Sequence, residues 1–222
     1  MWSGLPADEP LEDKMKVERM VPGQIQTNCY FVINEATKEA IVIDPADRPE
    51  AVLRRAVDEG LDLKAIFLTH GHADHMLGVP ELKAKLEIPV YACEAEKELL
   101  ADPEQNLSPA LFRKSVAFAA DVWVKDEQVI EVAGMEFHVF ATPGHTPGGC
   151  CYYSAEAGVL FSGDTLFAGS VGRTDFPGGS MSALVRGIKE KLTPLPDETK
   201  VYPGHMEEST IGAERRYNPY LG

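Results

Sequence analysis

The sequence predicts an α/β fold in which two β-sheets pack face to face and helices cover their outer faces. Three observations carry that expectation. Short apolar runs bounded by glycine, proline or asparagine read as strands and arrive in pairs. Amphipathic stretches with helical spacing alternate with those pairs. The 222 residues, 44% of them hydrophobic, suffice for one substantial core. A single domain over residues 15–222 is therefore expected, preceded by residues 1–14, an acidic, proline-bearing and flexible extension with little to bury.

Taken in order, "CYFVI" and "EAIVID" form a hairpin across the polar turn Asn34 to Lys38, the second strand being apolar enough for burial on both faces. "DRPEAVLRRAVDEG" is an amphipathic helix, with Val52, Leu53, Ala56 and Val57 at helical spacing, Pro49 in its first turn and Gly60 at its end. "LKAIFLTH" is a strand, "HMLGVPELKAKLE" a helix interrupted near Pro80, and "IPVYAC" a short strand. Glu94 to Val122 reads as mostly helical, broken at Pro103 and Pro109. Four strands follow, "QVIEVAG", "MEFHVFATP", "GCCYYSA" and "GVLFSGD". A helix then sets Met181, Leu184, Val185, Ile188 and Leu192 on one face. "KVYPGH" is a last strand, and a last helix runs from about Ser209 to Tyr217.

Composition narrows the function. The formal net charge of −14, with no run of Lys or Arg, opposes nucleic acid and anionic lipid as partners and favours a small-molecule substrate. No window resembles a membrane span, and the first residues lack a basic start and an apolar stretch, so the cytoplasm is the expected location. The four cysteines form no C-x-x-C pair and read as reduced thiols. Oligomeric state is not encoded in any pattern of this kind.

The chemistry concentrates in "THGHADH". His70, His72, Asp74 and His75 lie just past an apolar strand, and so do His145, Asp164 and His205 further on. If those strands lie side by side, their loops gather five imidazoles and two carboxylates at one rim, a donor set for two divalent metal ions. His70, His72 and His145 suit one ion. Asp74 and His75, at the start of the next helix, suit a second with His205, and Asp164 has two oxygens with which to bridge both. Dense histidine has no packing advantage and costs desolvation, which disfavours a purely structural role. Asp44, closing "AIVID", is expected to accept a hydrogen bond from a ligand imidazole. Asp74 and Asp164 are also the candidate catalytic carboxylates.

"THGHADH", "GHTPG", "SGDTLF" and "PGH", in this order, resemble the metallo-β-lactamase superfamily, which implies an αββα sandwich of two mixed β-sheets with helices outside. "GSVGRTDFPGGS" and "VYPGHMEESTIGAERRYNPYL" are similar to the short glyoxalase II type of hydroxyacylglutathione hydrolase. The resemblance implies the same assignment of ligands: His70, His72 and His145; Asp74, His75 and His205; Asp164 between. Class B1 lactamases place a metal-binding cysteine where Asp164 stands, and flavin-linked diiron members a glutamate where His72 stands. Full-length glyoxalase II carries a C-terminal helical domain with much of its glutathione contact, and this chain ends at Gly222.

The implied reaction is hydrolysis of a small-molecule thioester, S-lactoylglutathione or a related S-acyl thiol, by a metal-bound hydroxide. Zinc is the expected metal, with iron or manganese as alternatives. A thiolate, with a parent pKa of about 8.5, departs without a strong general acid. Arg173, within "GRTDF", is in reach of a substrate carboxylate or of Asp175. Two other readings share these motifs: a mononuclear iron persulfide dioxygenase, and a non-enzymatic metal-binding module.

Overall fold

The computed structural model describes residues 15–222. The expected flexible extension, residues 1–14, lies outside them. In chain order the elements are β1 (Met15–Met20), β2 (Cys29–Asn34), β3 (Glu39–Ile43), α1 (Pro49–Asp58), β4 (Asp62–Phe67), α2 (Ala73–Met76), α3 (Val79–Leu86), β5 (Val90–Cys93), α4 (Lys97–Ala101), α5 (Ser108–Phe112) and β6 (Val122–Val124). Then come β7 (Val129–Val132), β8 (Met135–Ala141), β9 (Cys150–Ser154), β10 (Val159–Gly163), β11 (Leu166–Phe167), β12 (Ser170–Val171), α6 (Met181–Gly187), β13 (Lys200–Pro203), β14 (Ser209–Thr210) and α7 (Ile211–Tyr217).

Two mixed six-stranded sheets result, ordered β1-β2-β3-β4-β5-β6 and β14-β13-β10-β9-β8-β7. Side chains of a strand alternate between faces, and in β2, buried throughout, the two faces meet different cores. From β2, Tyr30 and Val32 join Phe67 of β4 against Phe137, Tyr152 and Phe161 of the other sheet, forming the layer between the sheets. Cys29, Phe31 and Ile33 point the opposite way, toward Val52 and Ala56 of α1, Met76 of α2 and Leu82 of α3. On the far side, Tyr153, Leu160 and Val201 pack under Leu184, Ile188 and Ile211. Three apolar layers between four layers of structure make the αββα sandwich. No helix of the described residues is long and apolar enough to cross a membrane.

Several elements depart from the sequence reading, each for a local reason. The first strand, β1, alternates only weakly but pairs antiparallel along all of β2, from Met15 opposite Asn34 to Met20 opposite Cys29. The helix expected to break at Pro80 breaks earlier: Gly78 N–H donates to Ala46 O, 2.6 Å, while Pro80 sits in the first turn of α3, where its missing N–H costs nothing. The segment Glu94 to Val122 is less helical than expected, holding a 3₁₀ turn, α4 and α5, and ending in β6 beside β5. The small antiparallel pair β11 and β12 was not anticipated. Two residues assigned to apolar helix faces point outward, Val57 at 79% exposure and Met181 at 39%. All four cysteines are buried and unpaired.

What positions the site is strand direction. β3 runs parallel to β4 in one sheet, and β8, β10 and β13 share one direction in the other. Their carboxyl ends deliver Asp44, His70, His145, Asp164 and His205 to one edge of the sandwich, the edge where ligands bind in open α/β sheets.

Candidate metal centre

Three overlapping groups of donor atoms meet at that edge: His70, His72 and His145; His70, His75 and Asp164; Asp74, His75 and His205. Within each, the donor atoms lie within 4.8 Å of one another. His72 Nδ1 stands 2.9 Å from His145 Nε2. Asp164 lies between the groups, Oδ1 3.4 Å from His75 Nε2 and Oδ2 3.5 Å from His145 Nε2 and 3.6 Å from His205 Nε2. Asp74 Oδ2 is 3.2 Å from His205 Nε2 and 3.5 Å from His75 Nε2. The structure thus brings together all seven residues singled out as ligands.

The outer ring nitrogens have fixed partners. His145 Nδ1–H donates to Arg173 O at 2.7 Å, and His75 Nδ1–H to Asp44 Oδ2 at 2.9 Å. His70 Nδ1 meets Thr69 Oγ1 at 3.2 Å, and that hydroxyl donates to Asp44 at 2.7 Å. With Nδ1 protonated in each, Nε2 is left as a lone pair facing inward. Asp44 holds the unusual φ of 49° that lets one carboxylate accept from His75 and from both the hydroxyl and the N–H of Thr69.

The inner atoms fit divalent cations. His70 Nε2, His75 Nε2 and Asp164 Oδ1 are buried with no hydrogen-bond partner, an expensive state that a metal ion relieves. Burial drives His70 well below the usual imidazole range and His72 down to about 3, keeping both in the neutral form that ligates. Burial acts the same way on His75 and His205, but the carboxylates Asp74 and Asp164 outweigh it and raise both. The centre therefore attracts positive charge. Gly204 completes the cradle, since a Cβ there would stand 2.3 Å from Asp164 Oδ1 and 2.6 Å from His75 Cε1.

Two contacts escaped the sequence reading. Thr27 Oγ1 donates to Asp74 Oδ2 at 3.1 Å. Glu96, fully buried, accepts from Gly71 N–H and Gly148 N–H, each at 2.7 Å, and so ties the loop bearing His70 and His72 to the loop bearing His145. Burial pushes its carboxyl above the usual range, with the two donors pulling the other way. Only a glycine fits at 148, where a Cβ would stand 2.5 Å from Glu96 N. Glu96→Ala strands two buried donors, at a cost of about 1–3 kcal/mol each. Amide exchange at Gly71 and Gly148 should accelerate while α7 stays protected, and unchanged protection at both glycines would deny the tie. Arg173, weighed above between substrate and Asp175, is held by Asp175 through Nε at 2.7 Å and Nη2 at 2.6 Å, and lies 4.1 Å over the Phe176 ring.

A family model described as the metallo-beta-lactamase superfamily matches residues 22–205. The chain belongs to that superfamily. Among its relatives in the superfamily, a "Probable metallo-hydrolase YqgX" of Bacillus subtilis is 38% identical, the match covering 93% of this chain and 98% of the relative. The "Hydroxyacylglutathione hydrolase GloC" of Haemophilus influenzae is 35% identical, with the same two coverages of 93% and 98%. Among crystal structures, that of BLEG-1 B3 metallo-beta-lactamase superposes with a TM-score of 0.88 at 39% identity, covering 93% of this chain and 99% of that one. TTHA1623 in a di-iron-bound form gives 0.80 at 36%, covering 92% and 100%. ETHE1 from Myxococcus xanthus gives 0.76 at 30%, covering 92% and 84%.

Proposed function

We propose that this superfamily member is a metal-dependent hydrolase of small-molecule thioesters, S-lactoylglutathione or a related S-acyl thiol, with two divalent ions at its centre. His70, His72 and His145 would hold one ion and Asp74, His75 and His205 the other, with Asp164 shared. When bound, the pair supplies Lewis acidity, polarising a carbonyl oxygen and lowering the pKa of water from 15.7 to about 7. The chain's own part is orientation. Asp44 and the Arg173 carbonyl hold the protons of His75 Nδ1 and His145 Nδ1, and Thr27 aims Asp74.

One observation carries the choice of leaving group. Every titratable side chain lining the cavity over the centre, His72, Asp74, His145, Asp164, Arg173 and His205, is a member of the clusters or is the Asp175-paired arginine. Among the described residues lining the cavity no spare acid is left to protonate a poor leaving group, whereas a thiolate needs none. The similarity to a relative named hydroxyacylglutathione hydrolase supports the same reading.

A second reading, the mononuclear iron persulfide dioxygenase, shares these motifs and uses fewer of the ligands, so the metal and not the Asp74, His75 and His205 group decides between the two. Zinc has no accessible redox state, so metal exchange separates the two. Zinc-loaded protein is expected to release thiol from S-lactoylglutathione or a related thioester without consuming oxygen. Zinc-loaded protein inert to a thioester panel, beside iron-loaded protein that consumes oxygen with glutathione persulfide, would reverse the assignment.

A further inference from the structure

We propose that the mouth of the metal centre is a site for an uncharged, apolar acyl chain, so that the preferred substrate joins such a chain to a thiol whose tail carries no free carboxylates. This rests on the thioester reading above and narrows its substrate.

The cavity over the centre has a volume of about 390 Å³, and its upper wall is Ile25, Leu107, Leu111, Phe167, Phe176 and Met206. These residues come from separate parts of the chain: the β1–β2 connection, α5 and the residue before it, β11, the loop beyond β12, and the turn after β13. Ile25, Leu111 and Met206 are 37%, 42% and 58% exposed. Single exposed apolar side chains are ordinary, but convergence of three on the rim of one polar centre makes a binding surface.

Backbone strain points the same way. Leu107 and Met206 have φ of 67° and 68°, a left-handed conformation that bulky side chains rarely adopt. At Met206 the turn is pinned, its carbonyl accepting from Asn28 Nδ2 at 3.0 Å and Arg19 Nη1 at 3.2 Å. The pinned turn holds the half-exposed Met206 side chain at the cavity mouth, an arrangement that suits a ligand clamp.

Charge completes the argument. Among the described residues the one Lys or Arg side chain lining this cavity is Arg173, and Asp175 occupies its guanidinium fork. Arg113 and Lys114 lie past Leu111 in a neighbouring cleft that also holds Arg48, Asp47, Glu50 and Glu81, so that cleft balances three positive side chains with three negative ones. The glutathione portion of a conjugate brings two carboxylates against one ammonium to a chain of net charge −14, and among the described residues this wall offers the carboxylates no free partner. An alkyl chain needs none.

Unreactive S-alkyl thioethers of N-acetylcysteamine, from methyl to hexyl, titrated calorimetrically into metal-loaded protein test the idea without turnover. Affinity is expected to rise by up to about fourfold per methylene, with an increasingly negative heat-capacity change. Leu111→Ser and Met206→Ser, both at exposed positions, should each flatten that slope. S-hexylglutathione should bind no more tightly than its N-acetylcysteamine counterpart. Acetyl and hexanoyl thioesters of N-acetylcysteamine then report whether kcat/KM follows the same slope. Flat affinity across the alkyl series, or a gain of about tenfold or more from the glutathione tail, overturns the proposal and leaves thioester hydrolysis standing if the thioesters are cleaved. A clear slope with no thioester cleaved upholds the apolar site and sinks the thioesterase reading.

Discussion

Asp164→Ala is expected to reduce thioester turnover by at least about 10³-fold, at or beyond the upper end for losing one preorganised electrostatic contact. Metal content should fall together with turnover, from about two ions per chain to one or fewer. The reason is position. Asp164 is the carboxylate that reaches both groups, Oδ1 facing His75 and Oδ2 lying between His145 and His205. Removing it separates the two clusters and leaves His75 and His205 with Asp74 as their remaining inner carboxylate. The fold should survive, since Asp164 contributes no apolar packing. Elemental analysis beside a thiol-release assay checks this, and wild-type metal content with wild-type turnover would refute the shared role.

Asp44→Ala is expected to act on stability and metal affinity together. Its carboxylate is 2% exposed and accepts from Thr69 N–H at 2.9 Å, the Thr69 hydroxyl at 2.7 Å and His75 Nδ1–H at 2.9 Å. Alanine leaves three buried donors facing no acceptor. Breaking a buried pair from one side costs about 3–5 kcal/mol, which for a chain of this size is a fall in Tm of roughly 6–20 °C. Metal affinity should drop by about 10–100-fold, because His75 loses the contact that fixes its ring. Asp44→Asn keeps one acceptor and should fall between. Thermal melts of the metal-free proteins, with chelator competition, separate the two effects. A Tm within about 2 °C of wild type and unaltered chelator competition would show that Asp44 is only a turn residue before Pro45.

The sequence by itself determined the sandwich and the candidate donor set, because both are written in local patterns. The unbroken apolar run "CYFVI", buried along its length, and the helical spacing in "PEAVLRRAVD" depend on neighbours within a few positions. The cluster His70 to His75 announces itself because imidazoles so close together have no apolar use. His145, Asp164 and His205 were recognisable as residues just past strands, and Asp44 as an acid closing an apolar one. β1 was obscure because its weak alternation gains meaning only from pairing with β2.

Tertiary structure alone decided the rest. Nothing in "YACEAEKELL" distinguishes Glu96 from Glu94 or Glu98, and its role exists only because Gly71 and Gly148, 25 and 52 residues away, turn their N–H groups to it. Whether Arg173 faces substrate or Asp175 depends on the conformation of one turn, and the structure pairs it with Asp175. The apolar mouth is assembled from parts of the chain that share no spacing, from Ile25 to Met206. Periodicity reports which face of an element meets the core. It carries no information about side chains that converge from separate loops, whose positions are set by the packing of the two sheets beneath them.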